Sequence, residues 1–122
     1  MDIRSTLTEL CEAFNAHDLD RIMAFFSDDC VLEMPRGTKP WGARFEGKPT
    51  ARETLATRFE GLPDVHYGND RHWVDGDMGI SQWTITGTMR TGERIEARGC
   101  DFYSFRGDKV VKKDSFWKIV EK

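Results

Sequence analysis

The residue of greatest chemical interest is Asp101, in the run from Arg94 to Phe105. Alternate residues of this run predict a strand whose Asp101 face also carries Ile95, Ala97, Gly99, Tyr103 and Phe105. A carboxylate among apolar neighbours is costly to ionise, which makes Asp101 a candidate acid, base or hydrogen-bond donor at neutral pH. The structural alternative is an inward acid that is satisfied by a backbone amide or an Arg.

Three further polar residues could share the pocket of Asp101. His66 and His72 have the same parity within a predicted strand, so both could line that pocket. Lys113 is predicted at an inward strand position, as a pocket cation, an electrostatic partner of Asp101, or an ammonium reaching solvent at the cavity mouth. The histidines have no other His at metal-ligand spacing, so we expect no metal site.

The length, charge and composition of the chain exclude several classes of protein. The 122 residues predict one domain, 1–122, and the net charge of -3 with a pI near 5.6 argues against a nucleic-acid partner. The N-terminus resembles no signal peptide, and the longest apolar run, 22–26, is too short to span a bilayer. We therefore expect a cytoplasmic protein without a membrane partner. Three widely separated cysteines do not suggest a disulfide framework.

Apolar spacing predicts three helices in the first half of the chain. The first covers residues 3–16, and Asp18 is the predicted N-cap of a short second helix that ends at 27–29. Pro49 suits the first turn of a third helix, at 50–60.

The rest of the pattern predicts strands. They are expected at 30–34, 65–74, 79–90, 94–105 and 110–120. The long loop at 35–48 either covers a pocket or is anchored by Trp41 folding under its own loop. The sequence thus predicts an α+β domain in which three helices cover one face of a curved, mostly antiparallel sheet and enclose a cone-shaped cavity.

The order and spacing of several short motifs resemble the nuclear transport factor 2-like superfamily, in particular its SnoaL-like and ketosteroid-isomerase-like members. The motifs are Phe14-Asn15-Ala16-His17-Asp18, Phe26-Ser27-Asp28-Asp29-Cys30-Val31, Phe45-Glu46-Gly47, Trp83-Thr84-Ile85-Thr86-Gly87-Thr88 and Gly99-Cys100-Asp101-Phe102-Tyr103-Ser104-Phe105. The resemblance covers nearly the whole chain and implies a cystatin-like α+β barrel.

The resemblance also indicates which chemistry to expect. Ketosteroid isomerases use a base Asp with an oxyanion hole of a Tyr and a protonated Asp. Asp101 matches the protonated Asp and Trp117 a pocket aromatic, but the Tyr falls on Leu10 and the base on Met34. That mechanism is therefore not expected. SnoaL-type polyketide cyclases need a single Asp, a role that Asp101 could fill with His66 or His72 assisting.

Limonene-type epoxide hydrolases, in the same superfamily, use two Asp and an Arg around a water. The candidates here are Asp101, Asp114 and Arg98. Strand parity places Arg98 on the face opposite Asp101, and Asp114 with the outward Phe116. We therefore favour the cyclase interpretation.

Two functions remain open. The first is a cofactor-free enzyme, a cyclase or isomerase, in which Asp101 transfers protons on a small hydrophobic carbonyl compound. The expected ligand-binding residues are Leu10, Met34, Trp41, Phe59, His66, His72, Trp83, Tyr103, Lys113 and Trp117. The second is a non-catalytic protein that binds a small hydrophobic ligand. Aromatic residues at such spacings are more often core than pocket, so part of the list is expected to be structural.

The outer face of the sheet predicts an assembly. An apolar patch is expected there, formed by Cys100, Phe102, Val110, Phe116 and Val120. Exposed patches of this kind usually mark an interface, so we expect a homodimer through the sheet.

Overall fold

A computed structural model describes residues 2–122, so the first residue of the predicted domain lies outside it. It contains the helices α1 (Ile3–Asn15), α2 (Leu19–Met23) and α3 (Lys48–Gly61). The strands are β1 (Phe26–Glu33), β2 (Arg44–Glu46), β3 (His66–Asp75), β4 (Met78–Thr88), β5 (Arg94–Arg106) and β6 (Lys109–Trp117). Within these residues no helix is both long and apolar enough to cross a membrane.

Side-chain caps set the starts of the first two helices. The Asp2 carboxylate accepts a hydrogen bond from the amide of Arg4 at 3.1 Å, and Asp18 accepts one from the amide of Arg21 at 3.1 Å. The predicted end of α2 is wrong, because the helix stops at Met23. The residues at 27–29 belong to β1, in the irregular stretch between the Phe26 and Val31 pairs with β6.

One sheet of six strands has the order β2, β1, β6, β5, β4, β3. β1 pairs with β6 in parallel and the other neighbours are antiparallel. The predicted α+β class with a curved sheet is confirmed. The sequence analysis missed β2, a strand of three residues inside the segment predicted as a loop.

A buried ion cluster fastens β2 to the sheet. Glu33 is 2% exposed and accepts hydrogen bonds from Arg44 at 2.8 Å and from Lys112 at 3.1 Å. Burial alone would raise the pKa of Glu33, but the hydrogen bonds from the two cations prevail and lower that pKa.

The inner face of the sheet meets the helices. Asp101, Tyr103 and Phe105 are all buried, as the alternation of β5 predicts. The assignment of Val110 to the outer patch is wrong. The β5/β6 register shifts between Ser104 and Phe105, so that Val110 pairs with Phe105 and is fully buried.

Candidate active site

A narrow cavity lies between the helices and the inner face of β4, β5 and β6. It is lined by Leu7, Cys11, Phe14, Met34, Pro35, Leu55, Arg58, Tyr67, Ser81, Trp83, Asp101, Tyr103, Lys113, Ser115 and Trp117. The centre of a water molecule can occupy about 30 Å³ of it, which is room for about two waters. A larger ligand therefore has to displace side chains or extend into a second, more open pocket that shares Met34, Pro35, Ser115 and Trp117 with the cavity.

The cavity floor is a row of polar residues that the strand register aligns. Ser81 on β4 is the cross-strand partner of Asp101 on β5, and Asp101 is the partner of Ser115 on β6. All three are buried and line the cavity. Because directly paired residues project to the same face of a sheet, the hydroxyls flank the carboxylate on both sides.

Side chains hold both oxygens of the Asp101 carboxylate. Trp83 Nε1 donates to Oδ2 at 2.9 Å, and the Tyr103 hydroxyl donates to the same oxygen at 3.4 Å. Ser115 Oγ donates to Oδ1, and Lys113 Nζ lies 3.1 Å from that oxygen. Within residues 2–122, every donor found to this carboxylate is a side chain, in contrast to the backbone or Arg partner of the structural alternative.

Lys113 is therefore the electrostatic partner of Asp101 among the three roles that the sequence left open. Its side chain is 11% exposed, and its ammonium donates to Ser115 Oγ at 2.8 Å and lies 5.5 Å from the centre of the Phe14 ring. The picture of a solitary acid among apolar side chains is thus corrected. The ammonium of Lys113 is a charged partner of the Asp101 carboxylate, at 3.1 Å.

Tyr103 and Trp83 are held as hydrogen-bond donors to Asp101 by their own surroundings. Burial, and then the charge of Asp101, raises the pKa of the Tyr103 hydroxyl well above its usual value, so this hydroxyl is a neutral donor. The Trp83 indole fits because residue 99 is Gly. A Cβ there would lie 2.7 Å from the indole ring and 2.5 Å from the carbonyl oxygen of Phe116.

Arg58 and Trp117 stand together in the cavity wall. The Arg58 guanidinium carbon lies 4.7 Å from the centre of a Trp117 ring, and both side chains are half-buried. Trp117 also contacts Trp83 edge-on, with 6.2 Å between ring centres. The Arg58 and Trp117 pair is thus a partly exposed section of wall whose movement would enlarge the cavity.

The two histidines do not behave alike. A bulge between Gly68 and Arg71, with Asn69 at a φ of 52°, shifts the register of β3. His66 consequently pairs with Thr86 on the outer side and is exposed, so its predicted place in the pocket is wrong. His72 turns inward opposite Ser81.

His72 does not line the cavity itself but contacts a residue that does. Its Nδ1 lies 2.8 Å from Ser81 Oγ, and its Nε2 lies 2.7 Å from Asp70 Oδ2. The His72 side chain is 7% exposed and that of Asp70 36% exposed. These contacts form a continuous line from the cavity to the surface.

Three other predicted ligand residues lie away from the cavity. Leu10 is 1% exposed and belongs to the core, while Phe59 stacks on His17 with 4.6 Å between ring centres. Trp41 is 42% exposed and carries the Arg44 guanidinium over its ring. With Pro40 and Gly42 it lines the second, more open pocket next to the cavity, which agrees with the prediction that its loop covers a pocket. Helical spacing identified Leu10 and Phe59 as inward residues but could not separate core from cavity.

Met34, Trp83, Tyr103, Lys113 and Trp117 do line the cavity together with Asp101. The sequence analysis missed four polar cavity residues, namely Arg58, Tyr67, Ser81 and Ser115. Strand parity was the available signal for the two serines. Ser81 is two residues from Trp83, and Ser115 is two residues from both Lys113 and Trp117, so each serine shares a face with those cavity residues.

The predicted separation of Asp114 and Arg98 from Asp101 is confirmed. Neither lines the cavity, and Asp114 pairs with Phe102 on the outer face. Burial, and then the charge of Glu33, raises the pKa of Asp114. Residues 2–122 bring no three His, Cys, Asp or Glu side chains together in a metal-binding arrangement.

Three helices on a curled sheet that encloses a cavity define a SnoaL-like domain. The family model for this domain matches residues 7–113, so the chain belongs to the SnoaL-like family. Curated protein sequences gave no match to the chain.

Solved structures share this fold at low sequence identity. A candidate polyketide cyclase from Pseudomonas putida KT2440 has a TM-score of 0.86 at 15% identity, over 98% of this chain and 93% of that one. An NTF2-like protein of unknown function from Burkholderia pseudomallei K96243 has a TM-score of 0.85 at 18% identity, over 97% and 92%. TerC, co-crystallised with polyporic acid, has a TM-score of 0.79 at 17% identity, over 93% and 89%.

Proposed function

We propose that this protein is a cofactor-free enzyme of the cyclase or isomerase type that transfers protons on a small hydrophobic carbonyl compound. Asp101 is its acid/base. The observation that supports this most strongly is the position of the Asp101 carboxylate, which is 4% exposed, lies on the cavity wall and is oriented by Trp83, Tyr103, Ser115 and Lys113.

The proposed reaction begins with the ionised form of Asp101. The carboxylate removes a proton from the carbon beside the substrate carbonyl, and the electron pair of that bond forms an enolate. Asp101 then returns the proton to another carbon in an isomerisation. In a cyclisation the enolate carbon attacks a second carbonyl, and the alkoxide formed on that carbonyl oxygen takes the proton from Asp101. A positioned base of this kind contributes about 10²- to 10⁴-fold to the rate.

The cavity wall supports an apolar substrate. Leu7, Phe14, Leu55, Tyr67 and Trp117 surround the polar floor. Exclusion of water by these side chains strengthens each electrostatic interaction with the reacting atoms. The cavity at rest is small, so the substrate either displaces side chains or extends into the adjoining open pocket. The half-buried Arg58 and Trp117 pair is the section of wall we expect to move.

The comparisons support the same class of substrate. Polyporic acid in TerC and the cyclase description of the Pseudomonas putida protein connect this fold with carbonyl-bearing ring compounds. The family assignment fits the proposal, although one fold can support many reactions.

One observation favours the alternative, a non-catalytic protein that binds a hydrophobic ligand. Four side-chain groups already contact the two oxygens of Asp101. A carboxylate accepts about four hydrogen bonds, so a substrate proton would have to replace one of them. The long contact from Tyr103, at 3.4 Å, is the one most easily given up.

The test is hydrogen exchange in heavy water on 2-tetralone, a bicyclic ketone with an activated carbon next to its carbonyl. We expect the wild-type protein to accelerate deuterium incorporation, and Asp101→Asn to lower that rate by about 10²-fold or more. Asp114→Asn is the matched control, since it removes a carboxylate from the outer face of the adjacent strand. Equal exchange rates for the wild type and Asp101→Asn would leave the binding protein as the better account.

The proposal includes a homodimer through the sheet. Phe116 is 52% exposed and packs edge-on against Phe102 on the outer face, with 5.6 Å between ring centres, and Val120 is 61% exposed. Cys100 is half-buried beside them. A cytoplasmic location also remains part of the proposal, supported by the free thiols of Cys11, Cys30 and Cys100.

A further inference from the structure

We propose that Ser81, His72 and Asp70 form a proton relay that makes the Ser81 hydroxyl the second acid/base group of the cavity. The inference rests on the proposed function of Asp101 and adds the group that protonates the substrate oxygen. Its basis is the unbroken line of contacts from Ser81 Oγ to His72 Nδ1 at 2.8 Å and from His72 Nε2 to Asp70 Oδ2 at 2.7 Å.

The ring of His72 is oriented by what each partner can do. An ionised carboxylate only accepts hydrogen bonds, so Nε2 carries the hydrogen that faces Asp70. In the neutral ring, Nδ1 then accepts a hydrogen bond from the Ser81 hydroxyl. In the protonated ring, Nδ1 donates to Ser81 Oγ, and the Ser81 hydroxyl is released to donate into the cavity.

The strand register places this hydroxyl where a carbonyl substrate needs it. Ser81 and Asp101 are directly paired, both are buried, and both line the cavity. Paired side chains on one face have Cβ atoms about 5 Å apart, so a bound ketone can present its oxygen to Ser81 and its neighbouring carbon to Asp101.

The proton count of the enolisation is balanced. Asp101 takes the proton from carbon, and the electron pair of the broken C–H bond becomes the C=C bond while the carbonyl π electrons move to oxygen. The step starts from the protonated His72 ring: the substrate oxygen takes the Ser81 proton, Ser81 takes the Nδ1 proton, and His72 is left neutral, with its Nε2 hydrogen still bonded to Nε2 and donated to Asp70. The return step reverses these transfers and delivers the Asp101 proton to a different carbon.

Several charged or titratable groups surround His72. Asp70 is on its own strand and is partly exposed, which connects the relay with solvent. From α1, Arg4 Nη1 donates to the His72 carbonyl at 2.6 Å, and Cys11 is close enough to Asp70 for that carboxylate to affect it. Burial, and then the charge of Asp70, raises the pKa of the Cys11 thiol to about 12, so Cys11 remains neutral and does not compete for protons.

The test compares base-promoted ring opening of two probes, 1,2-benzisoxazole and its 5-nitro derivative. In both, a base removes the proton from the carbon beside nitrogen, the electron pair of that C–H bond completes a nitrile, and the N–O bond breaks so that the oxygen becomes the phenoxide of the ring-opened molecule. The nitro group stabilises the phenoxide, so that departure needs no proton, whereas the unsubstituted phenoxide benefits from one. Asp101 should therefore accelerate the ring opening of both probes, and the relay should accelerate that of the unsubstituted probe alone.

We expect Ser81→Ala and His72→Gln each to slow the unsubstituted probe by about 10-fold or more and to leave the nitro probe within about twofold of the wild type. Asp70→Asn should act in the same direction, and its partly exposed position makes it the variant least dependent on correct packing. His66→Gln, on the outer side of the same strand, is the control that should change neither rate.

Equal slowing of both probes by Ser81→Ala and His72→Gln, or no slowing of either, would overturn the relay. Equal rates for the wild type and Asp101→Asn would overturn the proposed base instead. Nitrogen NMR of His72, recorded at a pH where the ring is neutral, gives a reading that does not depend on turnover. The neutral ring should carry its hydrogen on Nε2, and finding it on Nδ1 would refute the relay.

Discussion

The ion pair between Asp101 and Lys113 gives the sharpest prediction about stability. Its two charged atoms lie 3.1 Å apart, and the side chains are 6% and 11% exposed. Removing one partner of a buried pair leaves the other charge uncompensated, which costs about 3–5 kcal/mol. Asp101→Asn should therefore destabilise the protein by about 3 kcal/mol, which lowers the melting temperature by about 12 °C at about 4 °C per kcal/mol.

The matched double variant isolates the pair. Lys113→Met keeps the length of the side chain and removes its charge, leaving Asp101 with the donors Trp83, Tyr103 and Ser115. In the double variant neither charge is present. Its loss of unfolding free energy should therefore be smaller than the sum of the losses in the two single variants by about 2 kcal/mol.

The assay is urea unfolding of the wild type and the three variants, followed by tryptophan fluorescence. Because the pair is buried, the coupling should change little between low and moderate salt. Single losses that add to within about 0.5 kcal/mol would show that the two charges act independently and would refute the assignment of Lys113 as the partner of Asp101.

Three further predictions concern the architecture. Gly99→Ala should lower the free energy of unfolding by about 1–3 kcal/mol, because the new methyl group overlaps an indole ring and a backbone carbonyl. Gly61→Ala is the control, since a methyl group there meets open space and should leave stability unchanged. Thermal melts of the two variants and the wild type make the comparison. Glu33 has a lowered pKa, so the stability it adds is present above its ordinary pKa of 4.5 and is lost as the pH falls through the folded value below it. The difference in unfolding free energy between the wild type and Glu33→Gln should therefore shrink below pH 4.5; a constant difference down to pH 2.5 would contradict this. Phe116→Glu should convert a dimer to a monomer by light scattering at micromolar concentration, and a monomeric wild type would remove the proposed interface.

Periodicity was sufficient to predict most of the fold. The alternation of β5 assigned Asp101 to the inner face, and that of β6 separated Lys113 from Asp114, because period two is preserved wherever pairing is regular. The helical stripe of α1 was equally clear, with Leu7, Leu10 and Phe14 all buried.

Irregular pairing explains the errors. The bulge that turns His72 inward and His66 outward needs Asn69 in a left-handed conformation. The sequence of β3 gives no signal from which this bulge could be predicted. A similar shift brings Val110 into the core. A single residue of slippage reverses every face that follows, so parity arguments fail beyond such points.

The partners of Asp101 were harder to predict than its position. Trp83, Ser115 and Lys113 converge on one carboxylate from two neighbouring strands, and that convergence depends on register, which no local pattern encodes. Three roles were predicted for Lys113, and partner of Asp101 was one of them. The contact of His72 with Ser81 was not foreseen, because it requires both the register and the bulge.

The most direct test of the central claim is the primary isotope effect on proton removal from 2-tetralone deuterated at its activated carbon. If Asp101 breaks this bond within the cavity, the wild-type protein should process the deuterated ketone several-fold more slowly than the ordinary one, and Asp101→Asn should show no protein-promoted reaction. Equal rates for both ketones, together with undiminished activity in Asp101→Asn, would contradict the assignment of Asp101 as the group that moves the proton.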